Sequence, residues 1–119
     1  MKIAVTSTGQ DLKAPVDPRF GRAAYILIVD SDTLAVDVID NAENVNAFKG
    51  AGIQAATLLS ERSADVLLTG YCGPNAFKAL EAAHIRVAGD VSGTVGEAVA
   101  AYKDGKITFA TAPNADGHW

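Results

Sequence analysis

The chain opens on a short apolar stretch, Ile3-Ala4-Val5, followed by the polar run Thr6-Ser7-Thr8-Gly9. A brief β-branched run that ends in a turn cluster predicts a buried first strand over 2–6. Residues 9–24 show no apolar period and carry Gly9, Pro15, Pro18 and Gly21, so they read as a long structured loop. Loops of that length in compact domains are often functional. Tyr25–Asp30 is almost continuously apolar, and 34–41 alternates, with Val36 and Val38 on one face. The polar turn Ser31-Asp32-Thr33 between them predicts a β-hairpin. Asp37 and Asp40 place its second strand at a sheet edge. A second polar loop, 42–49, follows.

From Gly50 the period lengthens. Ile53, Ala56 and Leu59, with Leu58, form a helical stripe backed by Glu61 and Arg62. A strand over 65–69 ends at Gly70, and Pro74 suits the first turn of a second helix with Ala76, Phe77, Leu80 and Ala83 inward. Residues 85–88 form another short strand. After Gly89-Asp90-Val91-Ser92-Gly93, either Ser92 or Thr94 caps a third helix whose inner face is Val95, Val99 and Tyr102, closed by Gly105. Residues 110–119 lack apolar periodicity and read as a loosely held tail after one domain spanning 1–109. Strand, hairpin, and then alternating helix and strand predict an α/β fold, a three-layer α/β/α sandwich around a five-stranded mixed sheet.

Composition narrows the function. With 119 residues, 49% hydrophobic and 20% charged, the chain has the profile of one globular domain. Its net charge of −4 argues against general nucleic-acid binding, which rests on Lys and Arg facing phosphates. No apolar run approaches the ~20 residues of a membrane span. A single cysteine, Cys72, excludes an internal disulfide, and no secretion-type leader is visible, so a cytoplasmic protein is expected. The edge strand permits a weak dimer without demanding one, so monomer and weak dimer both stand.

Topology then gathers four polar, glycine-bearing loops, 9–24, 42–49, 70–74 and 89–94, at the carboxyl ends of the strands, where open α/β sheets bind ligands. Segment 13–22 holds Lys13, Arg19 and Arg22 against Asp17 in a chain that is negative as a whole. Two helices begin at this end, and helix starts attract anions. A dianion ~5 Å from one guanidinium gains at most ~7 kcal/mol at an effective dielectric near 20, before desolvation. Against this anion cradle stands the plainer reading, in which the arginines are solvated and the glycines only turn.

Three segments make the pattern specific. Pro15-Val16-Asp17-Pro18-Arg19-Phe20-Gly21-Arg22-Ala23, Gly50-Ala51-Gly52-Ile53-Gln54-Ala55-Ala56 and Thr69-Gly70-Tyr71-Cys72-Gly73-Pro74-Asn75-Ala76-Phe77 resemble, in that order, the dinitrogenase iron–molybdenum cofactor-binding family of NifX-like and NifB C-terminal domains. The resemblance covers roughly residues 1–107 and is nearest to the family's free-standing members, some of which carry a mixed molybdenum–copper sulfide cluster. It implies a ribonuclease-H-like sandwich. It also implies a small anionic metal–sulfur cargo near Arg19, Phe20, Gly21, Arg22, Gly70, Tyr71, Cys72, Gly73, Asn75, Ser92, Gly93 and Thr94, and a donor or acceptor protein for that cargo.

Individual residues read less sharply. Cys72, between a strand end and a helix start, is placed where a thiolate is stabilised and soft metals bind, or is a small buried hydrophobe. Phe20 and Tyr71 either cover a cluster or anchor loops. His84 falls at a helix end remote from the crevice, and His118 lies in the tail. Asp17 and Asp90 lack the carboxylate partners of a two-metal nuclease, whose first strand normally supplies one. No nucleophile–base set is visible, so no enzyme is expected. A phosphate- or nucleotide-metabolite module is the alternative, although no Walker-type or dinucleotide fingerprint is present. A regulatory protein that meets its partner through 42–49 and the tail is a third.

Overall fold

A computed structural model describes residues 1–41 and 51–111. The loop 42–49, Gly50, and the tail from 112 with His118 lie outside the described residues. Five strands, β1 (Lys2–Ser7), β2 (Tyr25–Asp30), β3 (Val36–Asp40), β4 (Val66–Leu68) and β5 (Arg86–Ala88), form one sheet in the order β3-β2-β1-β4-β5. β2 runs antiparallel to β1 and β3, with Ile3 opposite Val29 and Ile26 opposite Ile39, whereas β1, β4 and β5 are parallel. This is the mixed, ribonuclease-H-like sheet expected, with the hairpin's second strand at the edge.

Among the described residues three helices cover the sheet: α1 (Ala51–Glu61), α2 (Pro74–Ala82) and α3 (Val95–Lys103). Alternation along the strands explains the two cores. Ala4, Ile26, Ile28, Leu67 and Val87 face one way and pack on Ala55, Ala56 and Leu59 of α1 and Ala76, Phe77 and Leu80 of α2. Ile3, Val5, Leu27, Val29, Val66 and Leu68 face the other and pack on Val95, Ala98 and Val99 of α3. β1 and β2 are buried on both faces, which is why they read as unbroken apolar runs.

Three expectations change. The buried stripe of α1 is Ala51, Ala55, Ala56 and Leu59, and Ile53 is 46% exposed. Small residues occupy the inner face because α1 and α2 approach closely: a Cβ on Gly52 would sit 2.8 Å from Ala76 Cβ. On β3 the face shared by Val36 and Val38 is only partly covered: Val36 is half-buried against one core and Val38 is exposed, whereas Ile39 on the other face is buried. Ala110, the first residue of the expected tail, is held: its N–H donates to the Val87 carbonyl at 2.7 Å, while Ile107 and Phe109 pack beside α3. Among the described residues no helix is long and apolar enough to cross a membrane.

Candidate functional site

The three parallel strands and β3 end at the same side of the sheet, and the long loop after β1 folds back over that end. Thr6, near the end of β1, and Thr69, directly after β4, are buried and share a hydrogen bond at 2.8 Å. Thr6 Oγ1 also donates to the Asp17 carbonyl at 2.7 Å, and Asp17 N–H returns a bond to the Thr6 carbonyl at 2.9 Å. The loop is thereby fixed to the sheet at Asp17. The Asp17 carboxylate, buried itself, accepts from Arg19 N–H at 3.0 Å and lies 3.6 Å from Arg19 Nε. Arg19 keeps about half of its side chain in solvent.

Residues 18–20 then run beside the start of the 70–74 loop. Tyr71 N–H donates to the Pro18 carbonyl and Phe20 N–H to the Tyr71 carbonyl at 3.1 Å, giving an isolated parallel bridge between Arg19 and Tyr71. The contact demands glycine at 70, where a Cβ would fall 2.6 Å from both Cα and the carbonyl oxygen of Pro18. Gly21, at φ +91°, turns the chain so that its own Cα faces the start of α1, 2.8 Å in Cβ terms from Gly52. Gly52 in turn lies against Ala76 in α2. All three sequence segments thus meet at one place: 15–23 is wedged between the start of α1 and the loop that leads into α2.

Among the described residues no side chain caps the start of α2: Gly73 precedes it with its backbone alone, and Pro74 has no N–H to satisfy. Gly73 is half-buried, and Asn75 and Tyr71 are exposed beside it. Phe20, in contrast, is buried in the core with Phe77 and Leu80, and so serves as the loop anchor.

Cys72 does not match the expectation of a stabilised thiolate. It is 1% exposed, lies among Phe20, Phe77 and Leu80, and burial pushes its pKa up to about 12. The neutral thiol sits 3.8 Å from the Gly73 carbonyl. A thiol held protonated is a poor metal ligand. Among the described residues no three His, Cys, Asp or Glu side chains gather as a metal-ion site. His84 lies in the turn before β5, at the opposite end of the sheet from the loops.

Ser92, Gly93 and Thr94 stand apart from this cluster, at the start of α3. Its first three amides all have oxygen partners within the chain: Val95 N–H donates to Ala14 (2.9 Å), Gly96 N–H to Leu12 (2.8 Å) and Glu97 N–H to Thr94 Oγ1 (3.1 Å). Glu97 Oε1 completes a capping box by accepting from Thr94 N–H, and these bonds hold its carboxyl below the usual range. The Gly93 carbonyl accepts from Val16 N–H at 2.8 Å. Ser92 lines a separate cleft of about 470 Å³ with Asp90, Lys106 and Phe109.

Sequence reasoning missed one polar residue entirely. Asn41, 1% exposed at the end of β3, donates from its side chain to the carbonyls of Gly21 (3.0 Å) and Ala23 (2.8 Å), on either side of Arg22. The available signal was an asparagine directly after an edge strand, and by itself that also describes an ordinary turn residue.

A ribonuclease-H-like sandwich, with an arginine-bearing turn clamped beside the start of α2, defines a small α/β domain of one known architecture. The chain belongs to the dinitrogenase iron–molybdenum cofactor family, whose model matches residues 1–105. Among solved structures it is similar to the apo form of the orange protein from Desulfovibrio gigas, at 48% identity over 96% of each chain and a TM-score of 0.94. It is also similar to a Thermotoga protein described as a NifB protein, at 32% identity over 96% of this chain and 97% of that one, TM-score 0.82. A Methanocaldococcus jannaschii protein described as a dinitrogenase shares the fold at 17% identity, 95% and 97% coverage and a TM-score of 0.70. No curated protein sequence matches the chain.

Proposed function

We propose that this protein carries a preformed anionic molybdenum-containing metal–sulfur cluster, held without covalent bonds where the three segments meet. The observation that carries this reading is the pairing of an arginine-bearing turn, Arg19-Phe20-Gly21-Arg22, with the uncapped start of α2. A helix start offers unshielded N–H groups and the positive end of the macrodipole. Guanidinium groups on both sides of the turn add charge, which the Asp17 carboxylate beside Arg19 moderates. With Cys72 buried as a thiol, the cargo's own sulfides satisfy the metal, and the protein supplies charge, amides and shape. Gly70, Tyr71, Gly73 and Asn75 form the rim of the crevice. Ser92, Gly93 and Thr94 contribute by locking the adjacent loop, since the amides behind them already have partners. The family and the similarity to the apo orange protein support cluster carriage, and molybdenum–copper sulfide is the cargo proposed.

The test offers apo-protein tetrathiomolybdate with and without copper, followed by desalting, metal analysis and visible spectra. Stoichiometric molybdenum with copper and a new charge-transfer band is expected. If no metal is retained, and ATP, NAD or sugar phosphates instead raise the melting temperature, the crevice is a phosphate site. A ligand at 100 times its Kd stabilises the fold by about 2.7 kcal/mol, well within such an assay's reach.

A further inference from the structure

We infer that Asn41 is a positioning residue for Arg22, and that its side-chain amide pre-shapes the anion crevice from behind. The inference rests on the proposed cluster-carrying function. Residues 21–24 belong to no helix or strand, and Gly21 at φ +91° turns the main chain sharply there. Gly21 and Ala23 are buried, so their carbonyl groups need partners inside the protein. Asn41 supplies both: its Nδ2 donates to Gly21 O at 3.0 Å and to Ala23 O at 2.8 Å. Its own N–H donates to the Ala24 carbonyl at 3.1 Å. One residue, itself 1% exposed, therefore fixes three of the four carbonyls from 21 to 24.

The one carbonyl between the two side-chain bonds is that of Arg22. Its residue is held on both sides, so the direction in which the Arg22 Cα–Cβ bond leaves the turn is set before any ligand arrives. Without the amide, two buried carbonyls lose their donors, and the turn must rotate them toward water. Arg22 rotates with them. No hydrophobic residue substitutes for this, and a carboxylate in the same shape presents oxygen to oxygen. Preorganisation of this kind strengthens binding by removing ordering costs that the ligand would otherwise meet.

The experiment uses the full chain loaded with tetrathiomolybdate and copper, at a temperature where circular dichroism shows each variant folded. Asn41→Ala and Asn41→Asp are expected to lose the cluster about tenfold faster than the native protein, with Asn41→Ser, which keeps one donor, between them. The Arg19→Ala/Arg22→Ala double variant runs alongside as reference. If the reference keeps its cluster, the cluster-site reading itself fails and takes this inference with it. If the reference loses its cluster while folded Asn41 variants keep theirs at the native rate, Asn41 only stabilises the fold and the inference is overturned. A measurement on the native apo chain stands even if variants misfold. The two side-chain amide protons of Asn41 should exchange slowly with solvent, and fast exchange contradicts a pre-shaped turn.

Discussion

Of the helices that begin at this end of the sheet, the chain treats α2 and α3 in opposite ways. At the start of α3, Leu12, Ala14 and Thr94 each place an oxygen on one of the first three amides, and Glu97 closes the box from within. At the start of α2 there is no side-chain cap, and the residue before it is glycine. A single loop produces both outcomes. Its residues 12–16 turn their carbonyls and amides toward α3, while 18–20 pair with the approach to α2 and supply no cap to its first amides. Helix starts attract anions as a rule. Which start remains available is decided by the tertiary course of the loop, and only one of these two does.

That contrast has consequences of decreasing size. Cys72 sits directly before the open helix start, yet its thiol is buried. A pKa near 12 against 9.0 for an unperturbed thiol implies alkylation at pH 8 slowed roughly 1000-fold relative to the unfolded chain. Rapid labelling of folded protein by iodoacetamide would show that the open side extends to the thiol. Next, Gly70→Ala forces a Cβ into the backbone of Pro18 and separates the arginine turn from the approach to α2. A loss of about 2–3 kcal/mol in urea unfolding is expected, with cluster retention falling as well. Unchanged retention would mean that the junction does not shape the crevice.

Thr94→Ala probes the closed start. Removing the cap should cost about 1 kcal/mol in stability and lower cluster retention much less than Gly70→Ala does. The pH dependence follows from the same box. Glu97 has a lowered pKa in the folded state, so its contribution is complete at neutral pH and is lost as pH falls through that lowered value. In Thr94→Ala this acid-side loss should flatten, as read from melting temperatures between pH 3 and pH 6. The exposure of the carboxylate makes it the smallest effect of the series.

The fold was legible because its strands and helices differ sharply in apolar period. β1 and β2 are doubly buried and read as continuous runs, and α2 carries a clean Ala76–Phe77–Leu80 stripe. The misread positions share a cause. On α1 the inner face is built of alanine and glycine for close helix contact, so the larger Ile53 drew the stripe one step round. On β3 only Ile39 is fully buried and Val36 half so, since the strand lies at the edge. The arginines and the α2 start were legible from charge and a strand–glycine–proline junction. Gly21, Gly52 and Gly70 serve close backbone approach, a role that composition and spacing alone did not mark. Asn41, Thr6 and Thr69 stayed hidden because their partners are carbonyls and hydroxyls far along the chain, which no local pattern encodes.

The central claim, that charge on the clamped turn holds the cargo, meets its most direct test in the Arg19→Ala/Arg22→Ala double variant. Both side chains reach solvent in part, so the fold should survive, as circular dichroism and urea unfolding would report. The account predicts that the folded variant, offered tetrathiomolybdate and copper, elutes from desalting without molybdenum and without the charge-transfer band. Retention at the native stoichiometry would contradict it.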